Sequence, residues 1–238
     1  MWLKKKILEI ASKNEDQRIE WVSKELKKLS AGLRILDVGA GERPFKKFCG
    51  HLRYISQDFA KYDGRGDEIG LQTGSWNQEN IDIISDIIKI PEPDSSFDVI
   101  LCTEVIEHVP DPIRALEELA RLLKAGGIII LTAPFISMTH FSPFYFCTGF
   151  NKYFYIEHFK RLGLKINEIK QSGNFFDVEM QQLIVLSSIS RQYSKSFISN
   201  LLWVFVLPLI LLLKLLSRHS KKSEELSCFE YFVKAIKK

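Results

Sequence analysis

The chain has 238 residues, 46% of them hydrophobic and 26% charged, which suits one large globular domain and argues against disorder. The formal net charge of +4 comes largely from lysines near the two ends, without interleaved aromatic residues, so nucleic-acid binding is not indicated. The four cysteines are scattered and form no CxxC pair, which argues against a structural zinc site or a disulfide framework and favours the cytosol. Charged residues interrupt the first apolar positions, so no cleavable signal peptide is expected.

The first half of the chain has the pattern of a parallel sheet covered by helices. Apolar residues at helical spacing predict an N-terminal helix over 3–29. Four short apolar runs then predict strands at Arg34–Val38, Tyr54–Gln57, Phe97–Cys102 and Gly127–Thr132. Between the last two, Asp111 is the expected N-cap of a helix that begins at Pro112 and ends at Gly126 and Gly127.

Beyond Thr132 the sequence predicts an aromatic-rich loop over 134–150, a helix over 151–162 and a strand over 164–169. A long apolar stretch and a final strand over 229–236 follow. No internal repeat or low-complexity linker is present, so we expect a single domain over 1–238. It would comprise an N-terminal helix (1–30), a cofactor-binding core (32–170), an apolar helical insertion (174–222) and a last strand (227–238).

A glycine-containing turn follows the first predicted strand. Gly39 and Gly41 permit a tight turn and let a ligand lie against bare backbone. A dinucleotide site favours a third glycine at position 44, where this chain has Pro44. Asp37 places a carboxylate beside the turn, which suits a ligand with an ammonium group better than one with phosphates. Asp58, at the end of the second strand, is placed to accept the hydroxyls of a ribose, although an acid in a solvated loop would have the same pattern.

Five segments in this order resemble the motifs of class I S-adenosylmethionine-dependent methyltransferases, of the small-molecule type with a Glu-His-Val signature after strand four. They are Asp37–Gly41, Asp58, Asp86, Phe97–Pro110 and Leu123–Pro134. The resemblance covers roughly residues 32–170. It implies a Rossmann-like α/β fold: a doubly wound, mostly parallel seven-stranded sheet with an antiparallel last strand, between two layers of helices.

The resemblance also implies roles for individual residues around S-adenosylmethionine. Asp37, Gly39, Ala40 and Gly41 would line the methionine end. Asp58 would hold the ribose and Phe59 would lie beside the adenine, whose edge Asp86 and Ile87 would meet. Cys102, Thr103 and Glu104 would close over the methionine portion.

Glu104, Glu107 and His108 leave three interpretations open. At positions i, i+3 and i+4 they would share one face of a helical turn and could bind a divalent ion, as in some quinone methyltransferases with similar signatures. His108 could instead be the general base that deprotonates an acceptor hydroxyl. Glu107 and His108 could also serve only to orient the turn before Pro110. His140, in the loop after the fifth strand, is a second candidate base. We assign no metal ligand, and name His108, His140 and Glu104 as candidate catalytic residues.

The apolar stretch 197–213 carries no charge and has basic residues on both sides. It could lie in the membrane surface, be a buried or dimerising helix, or span the bilayer. A last strand that rejoins the sheet, and Pro208, favour a peripheral contact through 197–216 at the inner face of the membrane.

The sequence therefore favours a cytoplasmic O-methyltransferase that acts on a small or lipid-linked acceptor near the membrane. The aromatic-rich loop would form the wall of its acceptor site, with Phe135, His140, Phe141, Phe144 and Tyr145. Arg43, Pro44 and Phe45 resemble a subgroup associated with sugars and surface polysaccharides, which suggests such a precursor as acceptor. The alternatives are a quinone or lipid methyltransferase with a Glu/Glu/His metal site, a nucleotide-dependent oxidoreductase, which Pro44 disfavours, and a non-catalytic cofactor-binding module. The acceptor and the oligomeric state are not predicted.

Overall fold

A computed structural model describes residues 13–194 and 202–238, and seven strands in this part form one sheet. The strands are β1 Arg34–Val38, β2 Arg53–Asp58, β3 Ile83–Ile84, β4 Phe97–Thr103, β5 Leu123–Pro134, β6 Leu164–Ser172 and β7 Glu230–Lys237. Their order is β3-β2-β1-β4-β5-β7-β6. The pairings from β3 through β5 are parallel, and β7 runs antiparallel to β5. The predicted fold class, with its antiparallel final strand, is confirmed.

Five α-helices accompany these strands in the described residues. They are α1 Lys13–Lys27, α2 Pro112–Leu122, α3 Lys152–Arg161, α4 Phe175–Ile189 and α5 Leu202–His219. Shorter turns of 3₁₀ helix lie at Lys46–Phe48, Ile106–His108 and Ser223–Glu225, and a π-helical turn lies at Ser190–Ser194. The predicted N-terminal helix is helical over α1, and positions 1–12 lie outside the described residues.

The start of α2 follows the prediction, but its end does not. Asp111 caps the helix, because its side chain accepts a hydrogen bond from the Arg114 amide at 3.1 Å. The prediction that Gly126 and Gly127 end the helix is wrong, since α2 ends at Leu122. Leu123 is already extended and pairs with Phe97 in the sheet. Strand pairing therefore ends the helix before the glycines are reached.

The chain divides into two compact units. The larger comprises 18–170 and 230–238, and its core contains Trp21, which stacks on Phe232 with ring centroids 5.1 Å apart. The described parts of the smaller unit are 13–17, 171–194 and 202–229. They include most of the apolar insertion expected over 174–222, and positions 195–201 of it lie outside the described residues. Among the described helices, none is long and apolar enough to cross a membrane.

Candidate active site

The backbone bends sharply where β1 ends, at Gly39 and Gly41. Both glycines have positive φ, +61° and +49°, a conformation that costs other residues free energy. The Ala40 amide donates to the Gln57 carbonyl at 2.9 Å, which fixes the turn against the end of β2. A Cβ atom on Gly39 would lie 2.5 Å from a methyl carbon of Val105. The turn therefore requires glycine both for its backbone angles and for the close approach of Val105.

Asp58, the last residue of β2, connects this turn to the loop that follows. Its Oδ2 accepts from the Gly41 amide at 2.9 Å. Its Oδ1 accepts from the Ala60 amide at 2.9 Å and from the Gln78 side chain at 3.0 Å. A carboxylate oxygen has two lone pairs, so the hydroxyls of a ribose would compete with Gln78 for Oδ1.

Asp37 is the most unusual carboxyl group near the turn. It is 2% exposed and accepts a hydrogen bond from the Tyr54 hydroxyl at 2.5 Å. Burial raises its pKa to about 7, the negative charge of Asp58 adds to that rise, and the Tyr54 hydroxyl opposes it. The Asp37 carboxyl is therefore costly to ionise, and a nearby cation would stabilise its charged form.

A cavity of about 300 Å³ opens beside the turn and the ends of β2 and β4. Seven of the predicted site residues line it: Gly39, Asp58, Phe59, Asp86, Ile87, Glu104 and His108. Six do not: Asp37, Ala40, Gly41, Cys102, Thr103 and His140. Cys102 is fully buried within β4, and burial raises the pKa of its thiol, so it is a packing residue of the sheet.

Aromatic side chains form much of the cavity wall. The expected wall residues Phe141 and Phe144 line the cavity, whereas Phe135 and Tyr145 are not among its lining residues. Phe141 stacks on Tyr62 with centroids 4.7 Å apart and meets Trp76 edge-on at 5.3 Å. Trp76 also covers Gly41, where an added Cβ would lie 2.5 Å from the indole ring. Tyr62 and Trp76 belong to the loop between β2 and β3, which has no regular periodicity that could have identified them. The other lining residues that were not predicted are Gln57, Lys61, Gln78, Val105, Val109, Pro110 and Phe146.

His108 presents one free ring nitrogen beside this wall. Its Nδ1 lies 2.6 Å from the Phe144 carbonyl oxygen, so Nδ1–H donates and Nε2 carries the lone pair. Nε2 is buried and has no hydrogen-bond partner among the described residues. Burial lowers the pKa of His108 to about 4, and His140 contributes to the decrease. The imidazole is therefore neutral at neutral pH and able to accept a proton.

Glu107 lies next to His108 and is fully buried. Neither carboxyl oxygen has a hydrogen-bond partner among the described residues, and Oε1 is 3.7 Å from His108 Nε2. Burial, followed by the charge of Glu104, raises the pKa of Glu107 well above its ordinary value. Burial thus favours the neutral carboxylic acid form of Glu107, and a cation bound close to it would favour the carboxylate.

His140 completes a cluster with these two residues, whereas Glu104 does not. One ligand atom each from Glu107, His108 and His140 lies within 4.8 Å of the others, a spacing compatible with a divalent ion. The His140 ring is 4.7 Å from that of His108, and its Nδ1 lies 2.8 Å from the Met138 carbonyl oxygen. Glu104 is held instead by Arg18 at 3.0 Å and by the Thr132 hydroxyl at 3.0 Å. The residues that share one site are therefore not the trio expected from spacing along the chain.

The chain is similar in sequence to known proteins. A family model described as a methyltransferase domain matches residues 10–171. A ubiquinone biosynthesis O-methyltransferase of Leptothrix cholodnii is 28% identical over 118 residues, which is 48% of this chain and 49% of that protein. The chain thus aligns with about half the length of the curated relatives it matches.

Two solved structures share the fold. A SAM-dependent methyltransferase from Archaeoglobus fulgidus has a TM-score of 0.54 at 15% identity, with 93% of this chain and 92% of that chain covered. Phosphoethanolamine N-methyltransferase 2 of Haemonchus contortus, solved with S-adenosyl-L-methionine, has a TM-score of 0.52 at 16% identity. That match covers 93% of this chain and 52% of the other.

Proposed function

We propose that this chain, which belongs to the methyltransferase domain family, uses S-adenosylmethionine to methylate a hydroxyl group on a flat, largely apolar acceptor. The observation that carries the proposal is the neutral imidazole of His108, a residue that lines a cavity walled by aromatic rings and whose Nε2 has no hydrogen-bond partner among the described residues.

The proposed reaction needs one base and a well-aligned acceptor. The acceptor oxygen forms a bond to the methyl carbon as the bond from that carbon to the sulfonium sulfur breaks. The hydroxyl proton passes to His108 Nε2, and the cofactor leaves as a neutral thioether. Because the sulfonium already makes the methyl group electrophilic, alignment of oxygen, carbon and sulfur supplies much of the rate. His108 adds the proton transfer, and its Nδ1–H bond to the Phe144 carbonyl holds the ring in place.

The cavity wall supports a flat ring as the acceptor. Phe141 stacks on His108 with ring centroids 5.2 Å apart, and Tyr62 stacks on Phe141. Both aromatic residues line the cavity, and aromatic pairs favour planar partners. Relatives at about 30% identity are named ubiquinone biosynthesis O-methyltransferases, and this name supports a phenol or quinol acceptor. A lipid-linked sugar, the acceptor favoured by Arg43, Pro44 and Phe45, is the competing class.

A transfer assay with methyl-labelled cofactor tests the proposal directly. The full chain is incubated with catechols and hydroquinones in one set and with lipid-linked sugar precursors in another. Label on a phenolic oxygen is the expected result. Label confined to sugars, or to nitrogen in an amine control, would contradict the proposed acceptor.

The role of His108 is tested with a matched pair of variants. His108→Gln should lower kcat by about 10²–10⁴ with little change in cofactor affinity. His158→Gln, on α3, should leave both unchanged. The assays are repeated after EDTA treatment, in which activity should persist. Loss in EDTA and recovery with added zinc or magnesium ions would show that His108 acts as a metal ligand rather than as the base.

A further inference from the structure

The smaller unit carries a helix that is packed on one side only. In α5, Val206 and Ile210 are buried and form a small core with Met180 and Ile184 of α4. These positions on α5 are four residues apart and therefore lie on one face. The core between the two helices thus covers only part of the surface of α5.

The rest of the α5 surface is apolar and exposed. Seven large apolar side chains between 40% and 71% exposed lie along the helix: Val204, Phe205, Leu209, Leu211, Leu212, Leu215 and Leu216. Phe205, Leu209, Leu212 and Leu216 recur at intervals of four, three and four residues, so they form a continuous stripe over about three turns. An apolar stripe of this size on a charged protein marks an interaction surface.

The charge around this stripe identifies the kind of partner. Residues 180–222 contain six lysines and arginines and no aspartate or glutamate. Arg191, Arg218, Lys221 and Lys222 are exposed, the last three at the C-terminal end of α5. A second copy of the chain would bring the same positive charge to the contact, whereas an anionic lipid surface complements it.

We propose that α5 lies in the plane of an anionic membrane surface, with the stripe in the headgroup and acyl boundary. A helix of 18 residues is about 27 Å long at 1.5 Å per residue, and its exposed apolar side chains extend along about 18 Å of it, from Val204 to Leu216. Arg218, Lys221 and Lys222 contact lipid phosphates at one end of the helix, and their alkyl stems extend the apolar contact. The inference is independent of the acceptor proposed above.

Flotation of the full chain with vesicles tests this inference. The protein should float with vesicles of phosphatidylcholine mixed with phosphatidylglycerol and much less with phosphatidylcholine alone, and added salt should reduce the difference. A variant with Phe205→Ser, Leu212→Ser and Leu216→Ser should partition at least about tenfold more weakly. A variant with Arg218→Gln, Lys221→Gln and Lys222→Gln should lose roughly a hundredfold at low salt, at about a factor of five per charge.

The matched control replaces exposed apolar residues elsewhere. Tyr153→Ser with Ile156→Ser on α3, where both side chains are exposed, should not change flotation. Circular dichroism verifies that each variant is folded. The inference is overturned if the wild type fails to float, if both α5 variants float like the wild type, or if the serine variant only converts a dimer to a monomer in light scattering.

Discussion

Replacing Gly39 with alanine should lower folding stability and weaken cofactor binding, and the two effects have separable physical causes. A non-glycine residue at φ +61° costs about 1–2 kcal/mol of folding stability. The new Cβ would also lie 2.5 and 2.7 Å from the two Val105 methyl carbons. Rotation of a β-branched side chain cannot clear both contacts, so Val105 is pushed toward the cavity that it lines. Overpacking of this kind costs about 1–3 kcal/mol, which predicts a roughly 5- to 150-fold increase in the Kd for S-adenosylmethionine.

The Gly32→Ala variant separates the two effects. Gly32 also has positive φ, +82°, but an added Cβ there meets no atom within 4 Å. Both variants should lose stability in urea unfolding, and only Gly39→Ala should lose affinity in isothermal titration with the cofactor. Wild-type affinity in Gly39→Ala, or an equal loss in Gly32→Ala, would refute the reasoning.

Three further predictions concern charge. In the wild type, kcat/KM should stay nearly constant from about pH 8 to about pH 5, because His108 has a pKa of about 4. An ordinary histidine pKa near 6.5 would instead lower kcat/KM about thirtyfold at pH 5, and a pH–rate profile distinguishes the two outcomes. Asp37→Asn should raise the free energy of unfolding by up to roughly 4 kcal/mol above about pH 7 and by little near pH 4 in urea titrations. The reason is that Asp37 has a pKa of about 7 in the folded state, against an ordinary value of 3.8, so the wild type loses stability as the pH rises from about 4 to about 7. Arg18→Met should cost about 2–4 kcal/mol in thermal unfolding, since it leaves the buried Glu230 without its ion pair, whereas Arg161→Met at an exposed pair should cost under about 0.5.

The sheet was predictable from sequence because its strands are buried on both faces. Ile35, Leu36, Ile100 and Leu101 are completely buried, and uninterrupted apolar runs of this kind are distinctive. The glycine turn and Asp58 were predictable for a related reason, since parallel strands end at one edge of the sheet and bring their following residues together. The end of α2 was not, because pairing of Leu123 with Phe97 is a contact between distant positions.

Only part of the wall of the site was predictable from local pattern. The aromatic-rich loop after the fifth strand indicated Phe141 and Phe144, and both line the cavity. Trp76 and Tyr62 lie in an irregular loop, and only the fold brings them to Phe141. Spacing along the chain grouped Glu104 with Glu107 and His108. In the structure, Glu104 has positive φ, +52°, and it pairs with Arg18. His140, rather than Glu104, lies beside Glu107 and His108. A long loop brings it there, and spacing along the chain does not predict such a contact.

The position of the transferred methyl group is the most direct test of the proposed function. Cofactor with a ¹³C-labelled methyl group is incubated with the full chain and a catechol, and the product is examined by carbon NMR. The predicted result is an O-methyl signal in the product. The rate at which this product forms should fall by at least about a hundredfold in the His108→Gln variant. A methyl group on carbon or nitrogen, or an O-methyl product formed equally fast by the variant, would contradict it.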